Sequence, residues 1–196
     1  MSQITVSVDL SGALEKLNKT KEELKREVPR ALNKVGDFGR TWVARRSREM
    51  YGGRVGALKK RLEVKRASAN SPMITIRATG SKINWIYFDA REVAGGVTVK
   101  DRKGRKLLQN AFIVTLNDQS PNGGNKFVVM RMAGSKHVSR RINPKGPDLK
   151  IKLLSGPSVA NMFRTTVRED QLRKILQDRF PIELAEAIRS LKYRTR

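Results

Sequence analysis

The sequence predicts an α+β protein in which an antiparallel β-sheet is packed by an N-terminal helical pair and a long C-terminal helix, with extended basic loops. Three observations predict this. Apolar residues recur at three- and four-residue steps near both ends of the chain. They alternate at every second residue through its middle. Clusters of Gly, Pro and Asn punctuate the alternating runs. A chain of 196 residues without an internal repeat or a low-complexity linker suits one domain over 1–196. Its parts are a helical stretch over 1–61, a sheet of about five to seven strands with long loops over 62–154, and C-terminal helices over 155–196. Hydrophobic residues make up 38% and aromatic residues 6%, which implies a modest core with protruding segments.

Ile4, Val6 and Val8 alternate with Thr5, Ser7 and Asp9, the pattern of a half-buried strand. From Ala13 the period changes, and Leu14, Leu17 and Leu24 share a helical face. Pro29 suits the first turn of a second helix, where its missing N–H costs nothing. That helix carries Leu32, Val35, Phe38, Trp42 and Val43 on one face and ends near Tyr51, before Gly52-Gly53. Gly56 to Lys59 makes a short helical turn. Leu62 and Val64, then Ile74 and Ile76, alternate on either side of Asn70-Ser71-Pro72, which predicts a hairpin.

Trp85 to Phe88 reads as a further strand. Two strand ends flank a basic turn from Asp101 to Lys106. Ala111 to Leu116 and Lys126 to Met132 read as paired strands around an Asn- and Gly-rich turn, and Ala133 to Asp148 as a long exposed loop. Lys150 to Leu154 forms a last strand before Ser155-Gly156-Pro157-Ser158. Thr166 and Glu169 have the spacing of a capping box. Val167, Leu172, Ile175, Leu176 and Phe180 define one face of the final helix. Pro181 is expected to kink or divide it, and Ile182, Leu184, Ile188 and Leu191 continue the face.

The charge is strongly one-sided, with 42 Lys and Arg against 18 Asp and Glu, a net +24. Such a surface associates with polyanions or acidic protein surfaces. No Cys is present, which removes disulfides, thiolate metal sites and Cys nucleophiles and suits a reducing cytosol. The first residues lack the basic and apolar regions of a signal peptide. No apolar run approaches the length of a membrane span, so a soluble protein made in the cytoplasm is expected.

Sites for bond-making chemistry find little support. His137 is the only histidine and stands in a basic loop with no carboxylate close in sequence to orient it. Gly134-Ser135-Lys136 ends like a phosphate loop, but position 129 is Val where the first Gly would stand. Asp101, Asp118 and Asp148 fall in turns, where Asp bonds to its own local backbone. Glu22-Glu23 and Glu169-Asp170 are explained by solvation and capping. Ser158 lacks the second Gly of a nucleophile elbow; Gly156 and Pro157 shape a joint, and Ser158 caps a short helix carrying Val159, Met162 and Phe163. The expectation is a protein without catalytic residues, metal or cofactor.

The basic clusters remain. The candidate partner- or DNA-contacting residues are Arg45, Arg46 and Arg48; Lys59, Lys60 and Arg61; Lys100, Arg102, Lys103, Arg105 and Lys106; and Lys136, Arg140 and Arg141. The clusters from Lys100 to Lys106 and from Lys136 to Lys152 contain no aromatic residue, so phosphate contact is favoured over base stacking and sequence reading.

The passage from a basic strand through GPSV to Met162-Phe163 and a long helix resembles the phage minor tail protein Z family. Ala111-Phe112-Ile113, Leu116, Val129-Met130-Arg131 and Ala133-Gly134 look like that family's AFI…L…VM.R.AG pattern, and Phe180-Pro181 with Glu183-Leu184 resembles its LPKEL segment. The likeness is convincing over Asn110 to Arg194 and departs at the 117–125 turn and the 135–148 loop. The resemblance implies a virion structural protein of the tail, made in the host cytoplasm. It would act in tail completion and head–tail joining as a homo-oligomeric ring near the DNA path. It also implies partners among other tail or neck proteins, no membrane, and a hexamer from tail symmetry. The alternatives are an independent non-specific nucleic-acid-binding protein and a metal-dependent nuclease.

Overall fold

The computed structural model describes residues 4–8, 21–116, 125–131 and 151–194. The chain opens with strand β1 (Ile4–Val8) and helix α1 (Lys21–Tyr51), then the short α2 (Val55–Lys59), β2 (Leu62–Lys65), β3 (Ile74–Ala78) and β4 (Lys82–Asn84). A 3-10 turn (Trp85–Tyr87) leads to β5 (Arg91–Val93), β6 (Gly96–Asp101), β7 (Gly104–Gln109) and β8 (Ala111–Leu116). After β9 (Asn125–Arg131) come β10 (Ile151–Leu153), β11 (Ser155–Ser158), α3 (Val159–Thr166) and α4 (Glu169–Arg194). This is the expected mixture of antiparallel strands with helices on the N-terminal side and a long C-terminal helix. The strands form four small sheets instead of one, in the orders β1-β3-β2, β10-β9-β8, β11-β4 and β5-β6-β7.

The first sheet shows how the core is built. Ile74, Ile76 and Ala78 alternate along β3, and all three are fully buried. The register places Val6 of β1 and Val64 of β2 opposite Ile76, so apolar positions of three strands share one face. Helix α1 lies over β3 and β2, while α4 lies over β1 and alongside α1. The helical stripe of α1 runs through Val28, Leu32, Val35 and Val43, all buried. Gly36 and Gly39 belong to the same stripe. A Cβ on Gly39 would sit 2.7 Å from a Leu176 methyl of α4 and 2.8 Å from the Ile76 Cδ1 of β3. The absence of a side chain there lets helix, helix and sheet meet at one point.

The seam continues in polar form. Glu183 of α4 is buried and ion-pairs with Arg179 at 2.8 Å and with Lys34 of α1 at 3.6 Å. Arg179 also lies over the ring of Phe38, 5.4 Å from its centre, which explains how that expected core residue stays 37% exposed. On α4 the buried stripe is Leu172, Leu176, Phe180, Leu184 and Ala187; Ile182 is exposed.

Four local expectations are corrected. Pro29 lies inside α1, so the described part of the helical pair is one helix from Lys21 onward; Leu14 and Leu17 lie outside the described residues. Pro181 likewise lies within α4, which is not divided. Packing of a long amphipathic face outweighs one lost backbone bond in each case. Thr166 forms no capping box, because its buried hydroxyl donates to the Met162 carbonyl at 2.7 Å and α3 ends there.

Trp85 to Phe88 is a 3-10 turn, not a strand. Asn84 makes it so. Its Oδ1 accepts from the Ile86 N–H at 3.0 Å and from the Val128 N–H at 2.9 Å, while its Nδ2 donates to the Val128 carbonyl at 3.3 Å. One side-chain amide thereby starts the turn and occupies both hydrogen-bonding groups of a β9 residue. Gly156 of β11 then packs against the rings so formed, its hypothetical Cβ lying 3.1 Å from Phe88 and 3.2 Å from Trp85. Close approach, rather than an unusual backbone angle, is why Gly stands there. Ser158 does cap α3, accepting from the Asn161 N–H at 3.2 Å.

Replacing Gly39 by Val should overpack the α1–α4–β3 junction and cost about 1–3 kcal/mol in urea unfolding. Asn84→Ala should cost about 1–3 kcal/mol in the same measurement by orphaning the Val128 N–H; an unchanged midpoint would refute the role given to the amide.

Candidate functional site

The last turns of α1 carry Arg45, Arg46 and Arg48, all exposed, where the negative end of the helix dipole favours cations. Gly52 ends the helix with φ +72°, and its N–H donates to the Arg48 carbonyl at 2.7 Å. A Cβ on Gly52 would meet the aliphatic stem of Lys100 at 2.7 Å, so this glycine supplies both the left-handed backbone and the space for Lys100. Two backbone bonds fix the surroundings. The Arg54 N–H donates to the Tyr87 carbonyl at 2.8 Å, and the Lys100 N–H donates to the Phe88 carbonyl at 2.8 Å. The 3-10 turn is therefore held between the segment after α1 and strand β6.

The result is a cleft of about 750 Å³ lined by Arg45, Arg48, Glu49, Gly52, Gly53, Arg54, Val55, Asp89 and Lys100. Among the described residues, Arg45, Arg48, Arg54 and Lys100 have no carboxylate within 4.0 Å. Glu49 is engaged by Arg46 at 2.8 Å.

Asp89 is the organising anion. It adopts φ +50°, a region that Asp and Asn enter more readily than other side chains. Its carboxylate ion-pairs with Arg105 and, at 3.4 Å, with Arg91; Arg105 Nη1 also donates to the Asp89 carbonyl at 3.1 Å. Desolvation works against the charged form. The hydrogen bond and charge of Arg105, with those of Arg91, outweigh it and hold the carboxyl below its ordinary value.

The structure brings together only some of the expected residues. Arg45, Arg48 and Lys100 share the cleft; Arg46 is spent on Glu49, and Arg105 on Asp89. Lys106 lies over the Trp85 ring at 4.9 Å and 3.9 Å from Asp101, so it braces the hairpin. Arg102 and Lys103 form its exposed tip, where the Asp101 carboxylate accepts from the Lys103 N–H at 2.8 Å, the local turn bond expected of it. Lys59 ends α2, Lys60 and Arg61 follow it, and none of the three lines the cleft. Lys136, Arg140, Arg141 and His137 lie outside the described residues. Arg54 and Asp89 were absent from the candidate set. The spacing from Asp89 to Arg105 has no linear signature, whereas Arg54 directly follows the glycines that end α1. Among the described residues no group of three or more His, Asp and Glu side chains could hold a metal, and no helix is long and apolar enough to cross a membrane.

Fold and site together define a basic α+β protein with a cleft lined mainly by cations at the end of α1. The chain belongs to the prophage minor tail protein Z family, whose model matches residues 9–195. The match extends the likeness far upstream of Asn110, through α1 and the cleft. It supports a structural role in a phage tail, in contact with other tail proteins. No curated protein and no solved structure matches the chain.

Asp89→Asn keeps the backbone preference and removes the charge. A carboxyl whose folded value is depressed stabilises above its unfolded value, near 3.8, and the gain is lost as pH falls through the folded value. Wild type should therefore exceed Asp89→Asn by less than about 1 kcal/mol at neutral pH, as exposed ion pairs do. The gap should close on acidification and narrow with added salt; a gap independent of pH would exclude the ion pair as its source.

Proposed function

We propose that the protein completes the phage tail, acting as a non-enzymatic subunit of a homo-oligomeric ring at the tail end that joins the head, beside the path of the DNA. The observation that carries this reading is the family match across 9–195. The net charge of +24 supports it, because a subunit meeting DNA or acidic neighbours gains from unbalanced cations. A sixfold ring fits tail symmetry, and the chain then acts as one unit over 1–196. The contiguous core favours that unit, since it draws on α1, the central strands, α3 and α4. The exposed Arg102–Lys103 hairpin tip is the described basic segment best suited to reach neighbouring subunits; the basic 135–148 stretch, expected from sequence to do the same, lies outside the described residues.

An independent nucleic-acid-binding protein would share the charge but would have no fixed place in a particle. Antibody labelling of purified tails in electron micrographs separates the two readings. Label confined to the head-proximal end is expected, and mass photometry of the released protein should show one oligomer of about six subunits in the presence of tail components. Label along the whole tail, at its distal end, or absent from particles would refute the proposal.

A further inference from the structure

We infer that the cleft at the end of α1 seats the phosphate backbone of duplex DNA, with Arg45, Arg48, Arg54 and Lys100 as the contacting residues and Asp89 as a positioning residue. The inference rests on the tail reading only for DNA being at hand; the surface itself argues the chemistry. Three of the four contacting cations are Arg, whose planar fork matches phosphate oxygens. None has a carboxylate within 4.0 Å among the described residues, so their donors face solvent without an internal counter-ion.

The lining decides between anionic partners. Among the described residues that line it, Val55 is the only large apolar side chain and none is aromatic. Protein interfaces place apolar and aromatic anchors at their centre and deplete charge there. Single-strand sites interleave aromatics for base stacking. Protein–DNA interfaces are more polar and much more positively charged. A second copy of the chain is a poor occupant, because its carboxylates are few and, among the described residues, largely taken up within the chain.

Asp89 also settles the charge at the edge of the cleft. In the β6–β7 register Lys100 stands directly opposite Arg105, a like-charge pair that would ordinarily repel. Asp89 ion-pairs with Arg105 and Arg91 while itself lining the cleft. It thus offsets the charge of Arg105 beside Lys100 and lets the Lys100 ammonium stand at the cleft with less repulsion from its strand partner.

The test is fluorescence anisotropy of the full chain on a short duplex of arbitrary sequence over a salt series, with circular dichroism melts confirming folding. Arg45→Gln with Arg48→Gln, and separately Arg54→Gln with Lys100→Gln, should each weaken binding roughly tenfold at ~0.1 M salt and reduce the log–log salt slope by about two. Lys65→Gln with Lys174→Gln, an equal loss of charge at exposed sites away from the cleft, should change affinity less than about threefold. The second cleft pair decides the matter if the first does not fold. Equal losses from cleft and control pairs, or none from either, would overturn the inference. So would poly-glutamate binding as tightly as duplex and losing affinity with the same variants, which would assign the cleft to an acidic protein. Duplex binding untouched by the cleft variants, with wild-type protein still labelled at the tail end, removes this inference alone; absence from tails removes the tail reading and leaves the cleft measurements standing.

Discussion

The contact that the remainder of the structure depends on is the one at Gly39, where Leu176 of α4 and Ile76 of β3 both reach the backbone of α1. Three elements distant in sequence converge on a position with no side chain. Interiors pack densely and respond to single methylene groups, so this point sets the depth of α1 against both neighbours. Farther along the same helix, Glu183 with Lys34 and Arg179 holds the α1–α4 pair in register by charge. The cleft follows from this. It stands at the C-terminal end of a helix whose course is set near its middle, and Gly52, Lys100 and the 3-10 turn complete it without a separate scaffold.

Much of this fold was legible in residue patterns. Alternation at Ile74 and Ile76 marked a strand with a buried face, Gly52-Gly53 marked the end of α1, and the turn after Asp101 marked the β6–β7 hairpin. These features are local, so short windows contain them. The failures have one cause, tertiary bonds that outweigh local preference. Pro29 and Pro181 look like breaks until long helical faces are packed. Trp85 to Phe88 looks like a strand until Asn84 turns its amide toward Val128. Thr166 looks like a cap until its hydroxyl is claimed by Met162.

The site was legible as composition more than as geometry. A run of basic residues around Arg45 and another around Lys100 could be read directly, but not that Gly52 seats one against the other. The division of labour was hidden as well. Arg46, Arg105 and Lys106 look identical in sequence to Arg48 and Lys100, yet the first three are bound to Glu49, Asp89 and the Trp85–Asp101 pair. In a chain this basic, the scarce carboxylates carry the information, because each decides which neighbouring cation is left available.

The Asn84 amide has a consequence for how the chain tolerates change over time. The seam between β9 and the segment beginning at β4 depends there on the nitrogen of one carboxamide, donated to a carbonyl, and on its oxygen, offered to two N–H groups. Lengthening either surrounding loop leaves that chemistry intact. Hydrolysis of the carboxamide to a carboxylate keeps the size and shape of the side chain but abolishes the donor and sets a charge beside the Val128 carbonyl. Ageing of a single residue, with no cut in the backbone, would loosen the joint between two sheets.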